Sequence, residues 1–462
     1  MAFVGREQEL ALLRDWWAHD SERPALVWGR RRVGKTALIQ RFAEDLPRVV
    51  FHTGVGEPAA AELAALSRQA ATVLPTDLRD LEATPYRDWE DLLDHLARAA
   101  QEQPILLVLD EFPELIATSP ALPGILRAFL DRTMGRTRLR LLLCGSAVRT
   151  MWSIQQTRAP LYGRFNLALP VHPFRPHEAS LLLPGLSPVD RARVFGIVGG
   201  MPLYLTWWRQ EMSVTDNVAR LACRPGSPLL TEGRLIMLTE VGADHAAATL
   251  YAIAAGKTRH HEIEDTIGAD PSRVLERLLE ARLIERVIPV TDDPQRSRRR
   301  IYRIADNFLA FYLGPLLRYR SEIERGHGEN VLPALLKRLD EHMGPAYEEA
   351  FRDHLWRLAA RGDLGEGVVA IGPWWRKDGQ DQIDAVALAE PDRTRVPVLV
   401  GESKWGRRID ARRITAKLHA KALGLTDDVE SLRYAVCGHE EIINADPDTL
   451  TVTAEDIFSP GG

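Results

Sequence analysis

The chain has 462 residues, 45% of them hydrophobic, and a formal net charge of −5. That length suggests two to four domains of roughly 100–200 residues each, and the charge excludes a global polyanion-binding composition, so any nucleic-acid contact must come from local patches. Its three cysteines, Cys144, Cys223 and Cys437, lie far apart without metal-ligand spacing, which makes a reducing cytoplasm the expected setting. Neither a secretory leader nor a bilayer-spanning apolar run of roughly 18 residues is visible, so no membrane role is expected.

Residues 1–171 alternate strand and helix patterns. Strands are expected at 25–28, 49–53, 105–109, 140–144 and 167–171, with helices at 58–73, 89–102 and 123–134. Alternation of this kind predicts a parallel sheet covered by helices.

The loop after the first strand carries the strongest signal. Gly29, Gly34, Lys35 and Thr36 fit the phosphate-binding pattern G-x-x-x-x-G-K-[ST] at every fixed position. The glycines let backbone N–H groups, those of Arg32, Val33 and Ala37 included, converge on phosphate oxygens. Lys35 is expected to reach the β and γ phosphates of ATP, and Thr36 to offer its hydroxyl to Mg²⁺. The apolar run ending in Asp110 and Glu111 reads as a central strand buried on both faces. Asp110 would hold Mg²⁺, and Glu111 would polarise the attacking water. Ser146, at the end of the fourth strand, is either a γ-phosphate sensor or a cap of the next helix. Arg164, ahead of the fifth strand, either supplies positive charge to the transition state, in cis or from a neighbouring subunit of a homo-oligomer, or forms a surface salt bridge.

Residues 172–240 read as helices that close the nucleotide module as a lid. Gly199, Gly200 and Pro202 make a turn able to bring backbone close to a base or ribose. Residues 241–325 suggest three short helices followed by an alternating hairpin, the outline of a winged helix. Its basic loop, 295–300, is either a phosphate-touching wing tip or part of a protein–protein hinge.

Residues 326–462 read as helix 345–359, strands 368–371, 382–388 and 396–402, helix 410–422 and strand 431–437. Glu348 falls on the first helix, Asp384 on the second strand, and Glu402 and Lys404 lie two apart on one face of the third. Asp384 and Glu402 can hold Mg²⁺ while Lys404 orients or deprotonates water. Arg407, Arg408, Arg412, Arg413, Lys417 and Lys421 form a cationic face beside them, suited to a phosphodiester. Solvated charges on an ordinary helix and hairpin are the plainer alternative.

Taken together, these residues resemble archaeal-type ATPases of the STAND branch of AAA+-related P-loop proteins, over nearly the whole chain. Phe3, Val4, Gly5, Arg6 and Glu7 are similar to the opening box whose backbone borders adenine. Leu161–Arg164 and Gly200–Pro202 match later landmarks, the second contacting nucleotide from the lid, and Tyr302–Phe308 resembles the close of the winged helix. Ser146 departs from the asparagine common at the sensor position. The C-terminal part is similar in pattern to PD-(D/E)XK nucleases, with Glu348, Asp384, Glu402 and Lys404 on that motif; some such domains have lost activity. The resemblance implies an α/β chain: a P-loop ATPase core with lid, a winged helix and a restriction-endonuclease-like domain. It implies a switch driven by ATP and Mg²⁺ that acts on DNA through the winged helix and the basic helix, in defence or DNA maintenance. The alternatives are a DNA-binding regulator whose last domain is only a docking surface, and a protein-remodelling ATPase.

Overall fold

The computed structural model describes residues 3–19, 23–74, 79–239, 241 and 245–459. Met1, Ala2 and the lid boundary at Glu240 lie outside these. The chain divides into two compact units, Met1–Pro173 and Phe174–Gly462.

The first unit is a five-stranded sheet. Its strands are β1 (Ala25–Trp28), β2 (Val49–Thr53), β3 (Ile105–Asp110), β4 (Leu139–Gly145) and β5 (Leu167–Pro170). The order is β2-β3-β4-β1-β5 and every pairing is parallel. All residues of β1, β3 and β4 are buried, as expected of strands covered by helices on both faces. Parallel order also puts all the strand ends that can carry chemistry on one rim. There, β4 stands between the loop-bearing β1 and the acid-bearing β3.

The second unit begins with the expected lid helices, among them Pro188–Val198, Pro202–Thr206 and Val214–Ala222. Contrary to expectation these share a compact unit with the C-terminal part and not with the nucleotide module. The reason is apolar: Ala192 is buried in the core of the C-terminal sheet, and Phe195 packs edge-on against Phe458. Next come helices Ala246–Ala254, His260–Ile267 and Ser272–Glu280, and an antiparallel hairpin of β6 (Ile284–Val287) and β7 (Ile301–Ile304). Asp306 caps the following helix by accepting the Leu309 N–H at 2.7 Å.

One helix, Gly328–Ala360, replaces the expected 345–359. Proline at 345 reads as a helix start. The helix nevertheless runs through Pro333 and Pro345, because Leu335, Leu339 and Met343 bury a stripe at helical spacing ahead of it. Beyond it lie β8 (Val368–Trp375), β9 (Gln382–Ala389), β10 (Val396–Lys404), β11 (Arg408–Asp410), β12 (Arg433–Gly438), β13 (Glu441–Ile443) and β14 (Leu450–Val452). The main sheet is ordered β14-β12-β10-β9-β8, antiparallel across β8-β9-β10 and parallel across β10-β12-β14. Helix Ala411–Ala422 starts at an Asp410 cap. No helix among the described residues is long and apolar enough to cross a membrane.

Candidate functional sites

The phosphate-loop geometry is set by backbone conformation. Arg32 and Gly34 have φ of 70° and 90°, the left-handed values that curve the loop around a concave centre. Gly29 is required for a different reason: a Cβ there would stand 2.3 Å from the Val171 carbonyl oxygen. Lys35 opens the helix Lys35–Ala43, with Ala37 exposed in its first turn. The Lys35 ammonium donates to the carbonyls of Gly29 and Arg30, 3.0 Å each. Burial holds its pKa below the ordinary lysine value, although Cys144, Glu111 and Asp110 pull the other way. A buried ammonium whose hydrogen bonds go to carbonyls is a site prepared for anionic oxygens.

The acids stand where the strand order puts them. The Thr36 hydroxyl donates to Asp110 Oδ2 at 2.8 Å, so the two oxygens expected to hold Mg²⁺ already converge. Both residue types are oxygen ligands suited to that ion. Glu111 sits at φ 47° and caps the helix Phe112–Thr118. Its Oε2 accepts the Ser146 hydroxyl at 2.8 Å and the Ser146 N–H at 3.2 Å. Ser146 therefore neither caps the next helix, whose cap is Ala147, nor stands alone; it positions Glu111.

Gly5 and Arg6 are consecutive left-handed residues, at φ 67° and 66°. They turn the chain so that the Arg6 guanidinium donates to the carbonyls of Val33, at 3.0 Å, and His172, at 2.6 Å. The opening box thereby braces the buried side of the loop.

A buried pair that the sequence did not single out lies nearby. His52 Nε2 meets Glu62 Oε2 at 2.6 Å, and Glu62 Oε1 accepts the N–H groups of Val55 and Glu57. This fixes the turn after β2, whose Gly54 N–H donates to the Asp110 carbonyl at 2.9 Å. The visible signal was only a histidine near a strand end.

Of the two readings of Arg164, the chain itself makes the salt bridge. Leu167 pairs with Ala25 at the start of β1, so Arg164 lies on the rim of the sheet opposite the phosphate loop. Its guanidinium makes a two-pronged pair with Asp131, at 3.0 Å on each side. Within one chain it does not reach the nucleotide site. Gly200 also has a purely structural reason to be glycine, since a Cβ would fall 1.8 Å from the Phe174 carbonyl oxygen. Pro202 occupies the first turn of helix Pro202–Thr206.

In the second unit the C-terminal residues do assemble. Pairing of Ala385 with Gly401 brings Asp384 on β9 beside Glu402 and Ser403 on β10. The Ser403 N–H donates to Asp384 Oδ2 at 2.9 Å. Lys404 Nζ stands 2.8 Å from Glu402 Oε1 and 3.8 Å from Asp384 Oδ2. Lys421, from helix Ala411–Ala422, takes the other Glu402 oxygen at 2.9 Å. Asp384 is 5% exposed. Burial, then the Glu402 charge, raise its carboxyl above the ordinary range, against the Ser403 N–H and Lys404. Burial alone would lower the Lys404 ammonium, but its bond to Glu402 and the charge of Asp384 outweigh that and raise it.

Glu348 approaches from the long helix; burial and the Asp384 charge push its carboxyl up to about 7. Arg352, also buried and one turn on, donates to the Asp384 carbonyl at 2.9 Å. Among the described residues no group of three or more His, Cys, Asp or Glu side chains is arranged around a metal-sized site. Two carboxylates, Asp384 and Glu402, are therefore what this centre offers a cation. They suit one chemically, since the ammonium of Lys404 already sits between them.

The expected cationic face is smaller than the sequence suggests. Arg407 and Arg408 precede the helix and pair with Glu440 and Glu441, at 2.7 and 3.3 Å. Lys421 turns inward, leaving Arg412, Arg413 and Lys417 exposed.

The parallel sheet, the loop and the paired acids define a P-loop ATPase domain. Residues 3–207 match a family described as an ATPase domain predominantly from Archaea, and residues 312–414 match one described as archaeal and bacterial proteins of unknown function. An uncharacterized protein of Methanocaldococcus jannaschii is 27% identical over 463 residues, covering 98% of this chain and 99% of that protein. An uncharacterized ATP-binding protein of the same organism is 44% identical over 43 residues, 9% of this chain and 73% of its own length. Among solved structures, the Walker-type ATPase of Pyrococcus abyssi aligns with a TM-score of 0.51 at 18% identity, covering 67% of this chain and 96% of that one. That likeness is one of fold.

Proposed function

We propose that the chain is an ATP-driven switch of the STAND type whose last domain binds and cuts nucleic acid with a divalent metal. Lys35 and the loop N–H groups would hold the phosphates, and Thr36 and Asp110 would hold Mg²⁺. Gly5 and Arg6 border the base, while Gly200 and Pro202 approach from the lid. The observation that carries hydrolysis is the Glu111 carboxylate held by Ser146 between loop and Asp110. From there it can take a proton from water as the γ-phosphate is attacked. Magnesium would neutralise charge developing on the phosphates. Arg164 contributes only from a neighbouring subunit.

The C-terminal reading rests on Asp384, Glu402 and Lys404 lying within one small centre. In it the two carboxylates would hold a divalent cation, which would supply Lewis-acid chemistry toward a phosphodiester. Lys404 then orients the attacking water, and Glu348 supports from the helix. Hairpin β6–β7 with its three helices acts as a winged helix, and Arg412, Arg413 and Lys417 receive DNA phosphates. A second reading, a DNA-binding regulator with an inactive last domain, is favoured by Lys421 holding Glu402 alongside Lys404.

Plasmid, linear and single-stranded DNA incubated with Mg²⁺ or Mn²⁺, with and without ATP, separates the two. Metal-dependent cleavage that vanishes in Asp384→Ala while ATP binding persists supports the first. Binding with every form of DNA left intact supports the second.

A further inference from the structure

The basic loop of the hairpin is exposed at Gln295, Arg296 and Arg298 but anchored along one side. Val290 N–H donates to the Pro373 carbonyl at 2.9 Å, and Arg299 Nη1 donates to the Trp375 carbonyl at 2.6 Å. Arg299 is also clamped by Asp292, whose other partner is the Ser297 hydroxyl. The loop is thus fastened to the end of β8, and an open pocket of about 540 Å³ is left between them and the start of helix His260–Ile267. Its volume falls within the roughly 300–1,000 Å³ of small-molecule sites.

The lining is unbalanced in charge. Arg259, Arg298, Arg300 and Lys377 all face it, and among the described residues none of the four makes an ion pair. The nearby acids are engaged elsewhere. Asp292 holds Arg299, Asp293 lies 3.8 Å from Arg296, and Asp378 and Asp381 hold Arg376 at 2.8 and 3.0 Å. Asp270 and Glu264 flank His260, at 3.6 and 3.7 Å. Glu262 caps its own helix by accepting the N–H groups of Thr258 and Arg259.

The pocket also has aromatic walls, Trp375 and Tyr302. Trp374 is 4% exposed in the sheet core, and strand alternation turns Trp375 to the other side. Several cations without a salt-bridge partner, of which Lys377 and Arg259 still feel the charges of Asp292 and Glu262, stand beside an indole and match a phosphate linked to a planar base: guanidinium groups fork onto phosphate oxygens, and the ring offers a stacking face.

We propose that this pocket is a second nucleotide-binding site, separate from the phosphate loop, which takes a phosphate-and-base unit. The unit comes either from a free nucleotide or from a single strand of nucleic acid. Because the hairpin loop and β8 form its two walls, occupancy ties the hairpin more firmly to the C-terminal sheet. The proposal goes beyond the reading above and stands whether or not Asp384 and Glu402 support cleavage.

The test uses the full chain carrying Lys35→Ala, which silences the phosphate loop, in EDTA so that no cleavage occurs. A fluorescent single-stranded oligonucleotide and ATP are titrated at several salt concentrations. At least one should bind. Adding Arg298→Glu and Lys377→Glu, both at exposed positions, should weaken binding on the order of tenfold or more and lower the salt slope by about 1 for each phosphate no longer engaged. Trp375→Ala should weaken nucleotide binding but leave inorganic pyrophosphate unaffected. Competition by ATP identifies a free nucleotide as the source; oligonucleotide binding without competition identifies a single strand. The proposal is overturned if neither probe binds at low salt, if charge reversal leaves affinity and slope unchanged, or if Trp375→Ala binds as well as its parent.

Discussion

The two candidate sites bring acids and cations together in opposite ways. At the phosphate loop each charged group has a neutral partner: Lys35 two carbonyls, Asp110 a threonine hydroxyl, Glu111 a serine. In the C-terminal centre Glu402 is held by two ammonium groups, and one of them also lies 3.8 Å from Asp384, which takes the Ser403 N–H. A site whose charges rest on neutral dipoles can release them to an incoming ligand of either sign. A site already neutral in itself must exchange a lysine for each metal charge it accepts. The first is built for a ligand that arrives with both anion and cation, as nucleotide and Mg²⁺ do. In the proposed reading of the second, metal binding and lysine release would be one event.

The sharpest way to break that comparison is to remove the acids at both places. Asp384→Ala should abolish metal-dependent cleavage in a gel assay and leave ATP binding intact. Glu111→Gln should keep ATP binding but slow turnover by about 10²–10⁴, the usual cost of losing a general base. Ser146→Ala should slow turnover less, since it only positions Glu111. Equal losses in Ser146→Ala and Glu111→Gln would show that the position of the carboxylate matters as much as its charge.

A smaller effect sharpens the second half. Lys421→Met leaves Glu402 with one cation. If lysine and metal compete for that carboxylate, divalent affinity measured by calorimetry should tighten by up to about tenfold, equivalent to one pK unit of interaction. Weaker metal binding in Lys421→Met would mean that this lysine orients Glu402 instead of blocking it.

How legible each site was in the sequence follows from the same difference. The phosphate loop is local: its glycines, lysine and threonine lie within eight residues, and backbone conformation does the rest. The strand pattern also placed Asp110 and Glu111, because central parallel strands are apolar throughout. The order of β4 between β1 and β3 was not legible, and that order is what gives Ser146 to Glu111. The far-rim place of Arg164 follows from the parallel sheet already expected, since it precedes its strand while the phosphate loop follows β1; its Asp131 partner was not legible. In the C-terminal centre the Asp384, Glu402 and Lys404 spacing was readable from strand alternation. Arg352 and the inward turn of Lys421 were not, because a helix face shows which residues are polar but not which of them meets a carboxylate. A helix start at Pro345 does not hold because local proline chemistry is outweighed by the apolar stripe Leu335, Leu339 and Met343.

Arg164 should prove modest. As a partly exposed pair with Asp131 it contributes about 1 kcal/mol or less to stability in denaturant titration. Turnover in Arg164→Ala should match the parent where chains are dilute. A fall in turnover appearing only as concentration rises would place the arginine at a neighbour's nucleotide. A fall at every concentration would overturn the far-rim placement.

A further effect concerns pH and stability. On the long helix of the second unit, burial depresses the imidazoles of His342 and His354 to about 4, with Arg357 adding to the effect at His354. Their unfolded value is about 6.5. Between those values the unfolded chain binds more protons than the folded one, so acid favours unfolding. The contribution is fully present above about pH 6.5 and is lost as pH falls toward 4. Each histidine can account for on the order of 1–3 kcal/mol over that window. The first unit shares part of this through His95, which burial also shifts downward. Glu348, raised to about 7, works in the opposite direction over the same window, so the variant is the test: in urea titrations at pH 7.5 and 4.5, His342→Gln should flatten the pH dependence of the second unit without raising its stability at pH 7.5. An unchanged pH dependence in His342→Gln would mean that this imidazole is solvated well enough to protonate in the folded chain, and the acid sensitivity would then belong to His354 and the charged groups around it.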